Sequence, residues 1–264
     1  MIPYLFQIYG PLYVNCYGLA ILIGILVFIS LAARDKPLSK ITTKNQLIDI
    51  VTIGTILGII GGAILWGITN WDKLDSWLDI FEFWRGGFSI LGTIITVSIV
   101  IPFYLRWKKI PILGFLDRIV IYIPLTQAIA RVGCFFAGCC HGAVTSSCIG
   151  VIYSHPDSAA PLGIKIHPTQ LYSSFLLFLI FLFMYFYAQN RFKKPGQLMS
   201  LYLILAALER FIVDFWRDDQ EFYIFQKAEI LSINQFIALI MGLVGLTLFI
   251  YYSFYRDKFG KNKK

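Results

Sequence analysis

Seven stretches of about twenty mostly apolar residues run through the chain, at 14–33, 47–69, 87–105, 112–131, 171–189, 198–216 and 233–254. A helix rises 1.5 Å per residue, so about 20 such residues cross the hydrocarbon core of a bilayer. In lipid every backbone polar group needs an internal partner, which a helix supplies within one segment. The pattern predicts an all-α integral membrane protein with seven transmembrane helices. The fourth stretch is the least apolar, since it holds Asp117, Arg118 and Gln127. Hydrophobic residues make up 58% of the 264 positions and charged ones 14%, with a mean hydropathy of +0.70. A soluble fold of this size could not cover that apolar surface. A soluble enzyme, a disordered chain and a nucleic-acid binder are thereby excluded. Aromatics at 17% suit Trp and Tyr belts at the two interfaces.

The net charge of +8 is explained by its distribution. With the N-terminus outside, segments 34–46, 106–111, 190–197 and 255–264 are cytoplasmic and carry fifteen Lys and Arg. The opposite side carries six: Lys73, Arg85, Arg131, Lys165, Arg217 and Lys227. Cytoplasmic loops collect Lys and Arg, so the N-terminus is expected outside and the C-terminus in the cytoplasm. Met1-Ile2-Pro3-Tyr4 lacks a signal peptide's charged start, so the first helix is expected to be retained. One membrane domain is expected over 1–264, with an irregular external loop at about 132–170 rich in Gly, Cys, Ser and Pro. Gly54, Gly58 and Gly62, four apart, predict a helix face that packs closely on a neighbour.

Ionisable residues inside spans are expensive and point to function. Arg210, Asp214 and Arg217 stand at i, i+4 and i+7 and share one helix face, with Glu209 turned about 100° away. Arg131 ends the fourth span, and His167 and Gln170 open the fifth. All three clusters fall in the outer headgroup layer, where guanidinium groups suit a phosphate. Gly86-Gly87 before the third span permits a close backbone approach. Cys134, Cys139, Cys140 and Cys148 with His141 lack the paired spacing of a zinc site, so no metal is expected. Free thiols that pack the loop are favoured over a disulfide. A transporter would show repeat symmetry, which is absent here.

Cys16-Tyr17-Gly18-Leu19, Trp84-Arg85-Gly86-Gly87-Phe88-Ser89, Ala130-Arg131-Val132-Gly133-Cys134-Phe135, His167-Pro168-Thr169-Gln170-Leu171-Tyr172 and Arg210 through Arg217 occur in this order. The set resembles the prolipoprotein diacylglyceryl transferase family over nearly the whole chain. The resemblance implies transfer of a diacylglyceryl group from phosphatidylglycerol to a prolipoprotein cysteine thiol. A thioether forms and glycerol phosphate leaves, with no cofactor. It implies a multi-pass protein of the bacterial cytoplasmic (inner) membrane. Its expected partners are phosphatidylglycerol, prolipoprotein signal peptides and membrane lipid. It also implies Arg131 and Arg210 as a phosphate clamp, with Asp214 paired to Arg210. Tyr17, Gly86, Gly87, Gln170, Tyr172 and Arg217 are the expected substrate-binding residues.

The chain departs from the family pattern at several positions. Leu91 stands where the family has a histidine, Ala63 replaces an Arg and Cys134 an Asn. Ser173 replaces the Glu that follows the His-Pro-x-Gln-Leu-Tyr motif, and Ala206 a Tyr. Without that histidine, His167 or His141 is left to accept the thiol proton, and His167 is preferred because it lies within a motif. Transfer to another acceptor, or a non-catalytic lipid- or lipoprotein-binding role, stays open as an alternative.

Overall fold

The computed structural model describes residues 4–9, 12–73, 88–218 and 231–255. It is mostly helical and divides into two compact units, Met1–Ala32 with Leu116–Lys264, and Ala33–Phe115.

The smaller unit is built on two long helices. A short α2 (Lys36–Ser39) is capped by Asp35, whose carboxylate accepts from Leu38 N at 2.7 Å. The long α3 (Lys44–Thr69) starts in a capping box, in which Thr43 and Gln46 each accept the other's backbone N–H. It packs against α4 (Ile90–Trp107) along the glycine stripe. A Cβ at Gly58 would stand 3.0 Å from a Thr93 methyl. At that bare face Thr93 Oγ1 donates to Gly58 O at 2.8 Å. Ile94, Ile99 and Phe103 of α4 are exposed, as lipid-facing residues would be. The helix starts three residues later than the apolar pattern predicts, because Phe88 and Ser89 are not helical.

The larger unit opens with an antiparallel hairpin, β1 (Tyr4–Tyr9) and β2 (Leu12–Asn15), which leads straight into α1 (Cys16–Ala32). Next come α6 (Ile123–Ala137), the paired strands β3 (Val151–Ile152) and β4 (Lys165–Ile166), and α7 (Thr169–Leu182). A π-helical turn, Phe183–Ala188, carries α7 into α8 (Gln189–Arg191). The chain returns as α9 (Gln197–Asp214) and α10 (Ile233–Ile250), the latter ending in a π-helical turn, Tyr251–Tyr255. Packing follows the chain: α1 on α6, α6 on α7, α7 on α9 and α9 on α10. The chain is mostly helical, as expected, with two small antiparallel pairs added. The segment expected to be irregular is ordered around Tyr153, Ala160 and Ile166. Tyr153 is fully buried and its hydroxyl donates to Phe135 O at 2.8 Å. Burial pushes this phenol up to about 12.

Four described helices are long and apolar enough to cross a bilayer: Lys44–Thr69, Ile90–Trp107, Thr169–Arg191 and Ile233–Phe254. This makes the chain a multi-pass membrane protein. The stretch expected as one fourth span is instead two helices, α5 (Ile112–Ile119) and α6, bent by 48°. Counted as one span, this pair makes five. The first helix has 17 residues, and α9 carries Glu209, Arg210 and Asp214 within 18. Length in one case and charge in the other set these two apart from the plain apolar spans.

Candidate functional site

Asp214 organises the end of α9. It is fully buried, with Oδ1 at 3.3 Å from Arg210 Nη2 and 4.0 Å from Arg217 Nε. Arg210 meets Asp214 on the helix as the i, i+4 spacing predicts, but α9 ends at Asp214, so Arg217 reaches the carboxylate from the turn beyond the helix rather than from its i+7 face. Ser232 Oγ donates to Asp214 Oδ2 and accepts from Gln235 N at 3.0 Å as the N-cap of α10. A single carboxylate therefore holds two guanidinium groups and ties the end of α9 to the start of α10.

Arg131 approaches from α6. It is half-buried, and among the described residues no carboxylate lies within ion-pair distance of it. Tyr17 of α1 lies within its electrostatic reach. The two helices touch at Gly133, where a Cβ would fall 2.6 Å from Ala20 Cβ and 3.1 Å from Tyr17 Cα. Only glycine allows this approach, and it places Tyr17 and Arg131 on neighbouring turns.

Glu209 joins these groups. It is 8% exposed and accepts a hydrogen bond from Ser173 Oγ of α7. Arg131, Arg210 and Arg217 all act electrostatically on it. The 100° turn away from Arg210 aims it at α7. The pairing was not foreseen from the sequence. Its one signal was a Ser where the family pattern has Glu, with a carboxylate beside Arg210.

The segment between α6 and α7 closes over this region. α6 ends at Gly138, whose φ of +78° is the left-handed conformation glycine accepts most easily. Thr169 Oγ1 donates to Cys140 O at 2.8 Å and Gln170 Nε2 to Cys139 O at 2.7 Å, fixing the start of α7 to the loop. Gly142 bridges Arg217 in antiparallel fashion and donates to His167 O at 3.0 Å. A Cβ there would fall 2.4 Å from Trp216 O and 2.6 Å from His167 Cβ, so a bare α-carbon separates the His167 and Arg217 strands. His167 Nδ1 lies 3.0 Å from Tyr172 Oη, and Tyr172 packs edge-on against Trp216. His141 Nδ1 faces Gly142 O at 3.2 Å, while His155 lies 3.7 Å from the Asp157 carboxylate.

The five cysteines are free thiols, and among the described residues no three His, Cys, Asp or Glu side chains form a metal site. The Cys134, Cys139 and Cys140 sulfurs are within hydrogen-bonding reach of one another. Hydrogen bonds from Cys134 and Cys139, helped by Arg217 and Arg131, hold the Cys140 thiol well below its usual range. Hydrogen bonds with Cys134 and Cys140 push Cys139 above it.

Tyr17, Arg131, His167, Gln170, Tyr172, Arg210, Asp214 and Arg217 thus belong to one unit. Gly86 and Gly87, with Trp84 and Arg85, lie outside the described residues. Leu91, at the family's histidine position, is an exposed residue of α4 in the other unit. Arg131, Arg210 and Arg217 all act electrostatically on Glu209, and guanidinium groups gathered in this way suit an anion.

The model of the family described as Prolipoprotein diacylglyceryl transferase matches residues 3–251. A Clostridium tetani protein named Phosphatidylglycerol--prolipoprotein diacylglyceryl transferase is 34% identical over 249 residues, covering 94% of this chain and 97% of its own length. A Clostridium perfringens protein of that name, numbered 2, is 35% identical over 245 residues, 92% of each chain. One from Dehalococcoides mccartyi is 32% identical over 257 residues, 97% of this chain and 94% of its own. With the ordered motifs and the apolar helices, this match over nearly its full length shows that the chain belongs to the prolipoprotein diacylglyceryl transferase family.

Proposed function

We propose that this chain transfers the diacylglyceryl group of phosphatidylglycerol to the lipobox cysteine thiol of prolipoproteins. The names of its relatives support this reaction, and the arginine pocket supplies the chemistry it needs. The thiol sulfur attacks the glyceryl carbon that carries the phosphate, a C–S bond forms, the C–O bond breaks, and glycerol phosphate takes the bond electrons. The thiol proton must go to a base, because a free thiol near pKa 8.5 is only a few per cent thiolate at pH 7.

Arg131 and Arg210 clamp the phosphodiester, and Asp214 holds Arg210 and Arg217 in place. The carrying observation is that Arg131 has no ion-paired carboxylate among the described residues yet acts on the same Glu209 as Arg210 and Arg217. Such a guanidinium is ready for an incoming anion. His167, oriented by Tyr172, is the proposed proton acceptor in place of the histidine replaced by Leu91. A positioned imidazole is the side chain that most often takes a proton in such a step. Tyr17, Gln170, Tyr172 and Arg217 line the substrate. The charge split supports one seven-span domain in the bacterial cytoplasmic membrane, N-terminus outside, with its site at the outer leaflet. Lipid and signal peptide would then enter from the same side.

The test is incubation of the protein, in vesicles containing phosphatidylglycerol with labelled acyl chains, with a lipobox peptide. Label should move to the peptide, and His167→Gln should slow transfer by about 10²–10⁴-fold. An unlabelled peptide with wild-type protein sinks the transferase reading. An unchanged rate in His167→Gln removes the imidazole alone.

A further inference from the structure

Cys134, Cys139 and Cys140 have no part in the mechanism above, yet the backbone is built to gather them. Cys134 lies in the last turn of α6, and its carbonyl accepts from Gly138 N at 2.9 Å and from Cys139 Sγ at 3.8 Å. Cys140 is held at a φ of +58°, a left-handed conformation unfavourable for a residue with a Cβ. Two buried side chains of α7 keep it there: Gln170 donates to Cys139 O and Thr169 to Cys140 O. The three sulfurs come within hydrogen-bonding reach of one another as a result. Cys134 is buried, while Cys139 and Cys140 are half-buried and open to a small molecule.

This trio is not a metal site, so its chemistry is that of the thiols themselves. They are unequal. The Cys140 thiol is held low by its neighbours and by Arg217 and Arg131, and Cys139 is held high. A thiolate beside a second thiol reacts with peroxides and then closes a disulfide. Cys134 is the better partner, because joining the adjacent Cys139 and Cys140 would distort the planar peptide between them.

We propose that Cys134 and Cys140 form a redox site that a hydroperoxide oxidises to a disulfide, and that this oxidation slows the transfer reaction. The Cys140 sulfur attacks a peroxide oxygen, the O–O bond breaks, and an alcohol or water leaves, giving a sulfenic acid. The Cys134 sulfur then attacks the Cys140 sulfur, the S–O bond breaks, and the hydroxyl leaves with the Cys134 proton as water. Two thiols lose two electrons and one hydroperoxide gains them. Sulfurs in hydrogen-bonding contact must close by about 1.5 Å or more to reach an S–S bond. Cys134 is fixed in α6, so Cys140 moves and its carbonyl leaves Thr169, two residues after His167. The effect on transfer rests on the transferase reading, and the disulfide does not.

The experiment treats the full chain in phosphatidylglycerol vesicles with hydrogen peroxide, blocks remaining thiols with N-ethylmaleimide, and cleaves with chymotrypsin after Phe136. Mass spectrometry should show Cys134 joined to Cys140, and the link should vanish on reduction. Cys140 should oxidise about tenfold or more faster than the exposed Cys148. Cys139→Ser should keep the disulfide, and Cys140→Ser should lose it. Oxidised protein should transfer label to a lipobox peptide about tenfold or more slowly, with recovery on reduction. Oxidation of Cys140 no faster than of Cys148, or a disulfide that does not join Cys134 to Cys140, overturns the redox site. Unchanged transfer by fully oxidised protein overturns its control of the reaction. The wild-type map decides even where a variant does not accumulate. Reduced wild-type protein that transfers no label sinks the transferase reading instead, a result distinct from each of these.

Discussion

Asp214 shows how a single buried carboxylate can set both stability and chemistry. It is fully buried and its partners include Arg210, Arg217 and Ser232. Removing one partner of a buried pair leaves an uncompensated charge, at a cost of about 3–5 kcal/mol. Asp214→Asn should therefore lower the amount of folded protein and its thermal midpoint, not turnover alone. A variant with full stability would remove Asp214 from this role. Arg131→Lys and Arg210→Lys address the proposed clamp directly, because Lys cannot donate in a planar fork. Each should lower kcat/KM by about 10²–10³ with the fold intact, and full activity in either would remove that arginine from the clamp. Cys140 gives a pH signature. Its pKa is lowered by the neighbouring thiols and arginines, so its labelling by iodoacetamide should fall off at lower pH than that of an ordinary thiol. A fall in the ordinary thiol range would contradict the three-sulfur arrangement.

At the scale of elements, side chains from elsewhere finish what each helix cannot satisfy alone. The first turn of α9 has no cap of its own, since Gly196 precedes it. Asp117 supplies the cap from the end of α5, accepting from Gly196 N at 2.6 Å and Met199 N at 2.8 Å. Free N–H groups and the positive end of the helix dipole both favour a carboxylate there. This accounts for the charge that makes the fourth stretch the least apolar. Asp117→Ala should cost about 1–3 kcal/mol, read as a lower midpoint of heat-induced aggregation in detergent. An unchanged midpoint would show that water caps α9 equally well. Gly133→Val is the harsher change. It drives a branched side chain into Ala20 and Tyr17, and should separate α1 from α6 and abolish folded protein.

At the scale of the whole chain, the charge split is the strongest statement about orientation. Fifteen cationic residues in the proposed cytoplasmic segments face six on the other side. A reporter fused after Lys264 should read cytoplasmic, and one inserted at 72–80 external. An internal reading at 72–80 would place Arg131 and Arg217 on the cytoplasmic leaflet and overturn the proposed direction of substrate entry.

Helix positions were legible in the sequence because lipid imposes a simple rule: about twenty apolar residues, all backbone groups paired within the segment. The pairing of Arg210 with Asp214 was legible for a similar reason, as i, i+4 spacing is local geometry, whereas Arg217 lies beyond the end of α9. The Gly54–Gly62 stripe likewise encodes close packing whatever the partner. What the pattern could not hold were relations between segments distant in the chain. Glu209 meets Ser173 across 36 positions, Asp117 caps a helix 79 positions on, and Asp214 accepts from Ser232 18 positions later. No periodicity records such pairs, because each depends on which helices become neighbours. The bend between α5 and α6, the N-terminal hairpin and the ordered Tyr153 core share that origin. Apolarity and charge along the chain thus determined that this protein spans a membrane and which residue types its site offers. Only tertiary packing decided which carboxylate faces which arginine, since a buried charge takes its partner from whatever helix packs beside it.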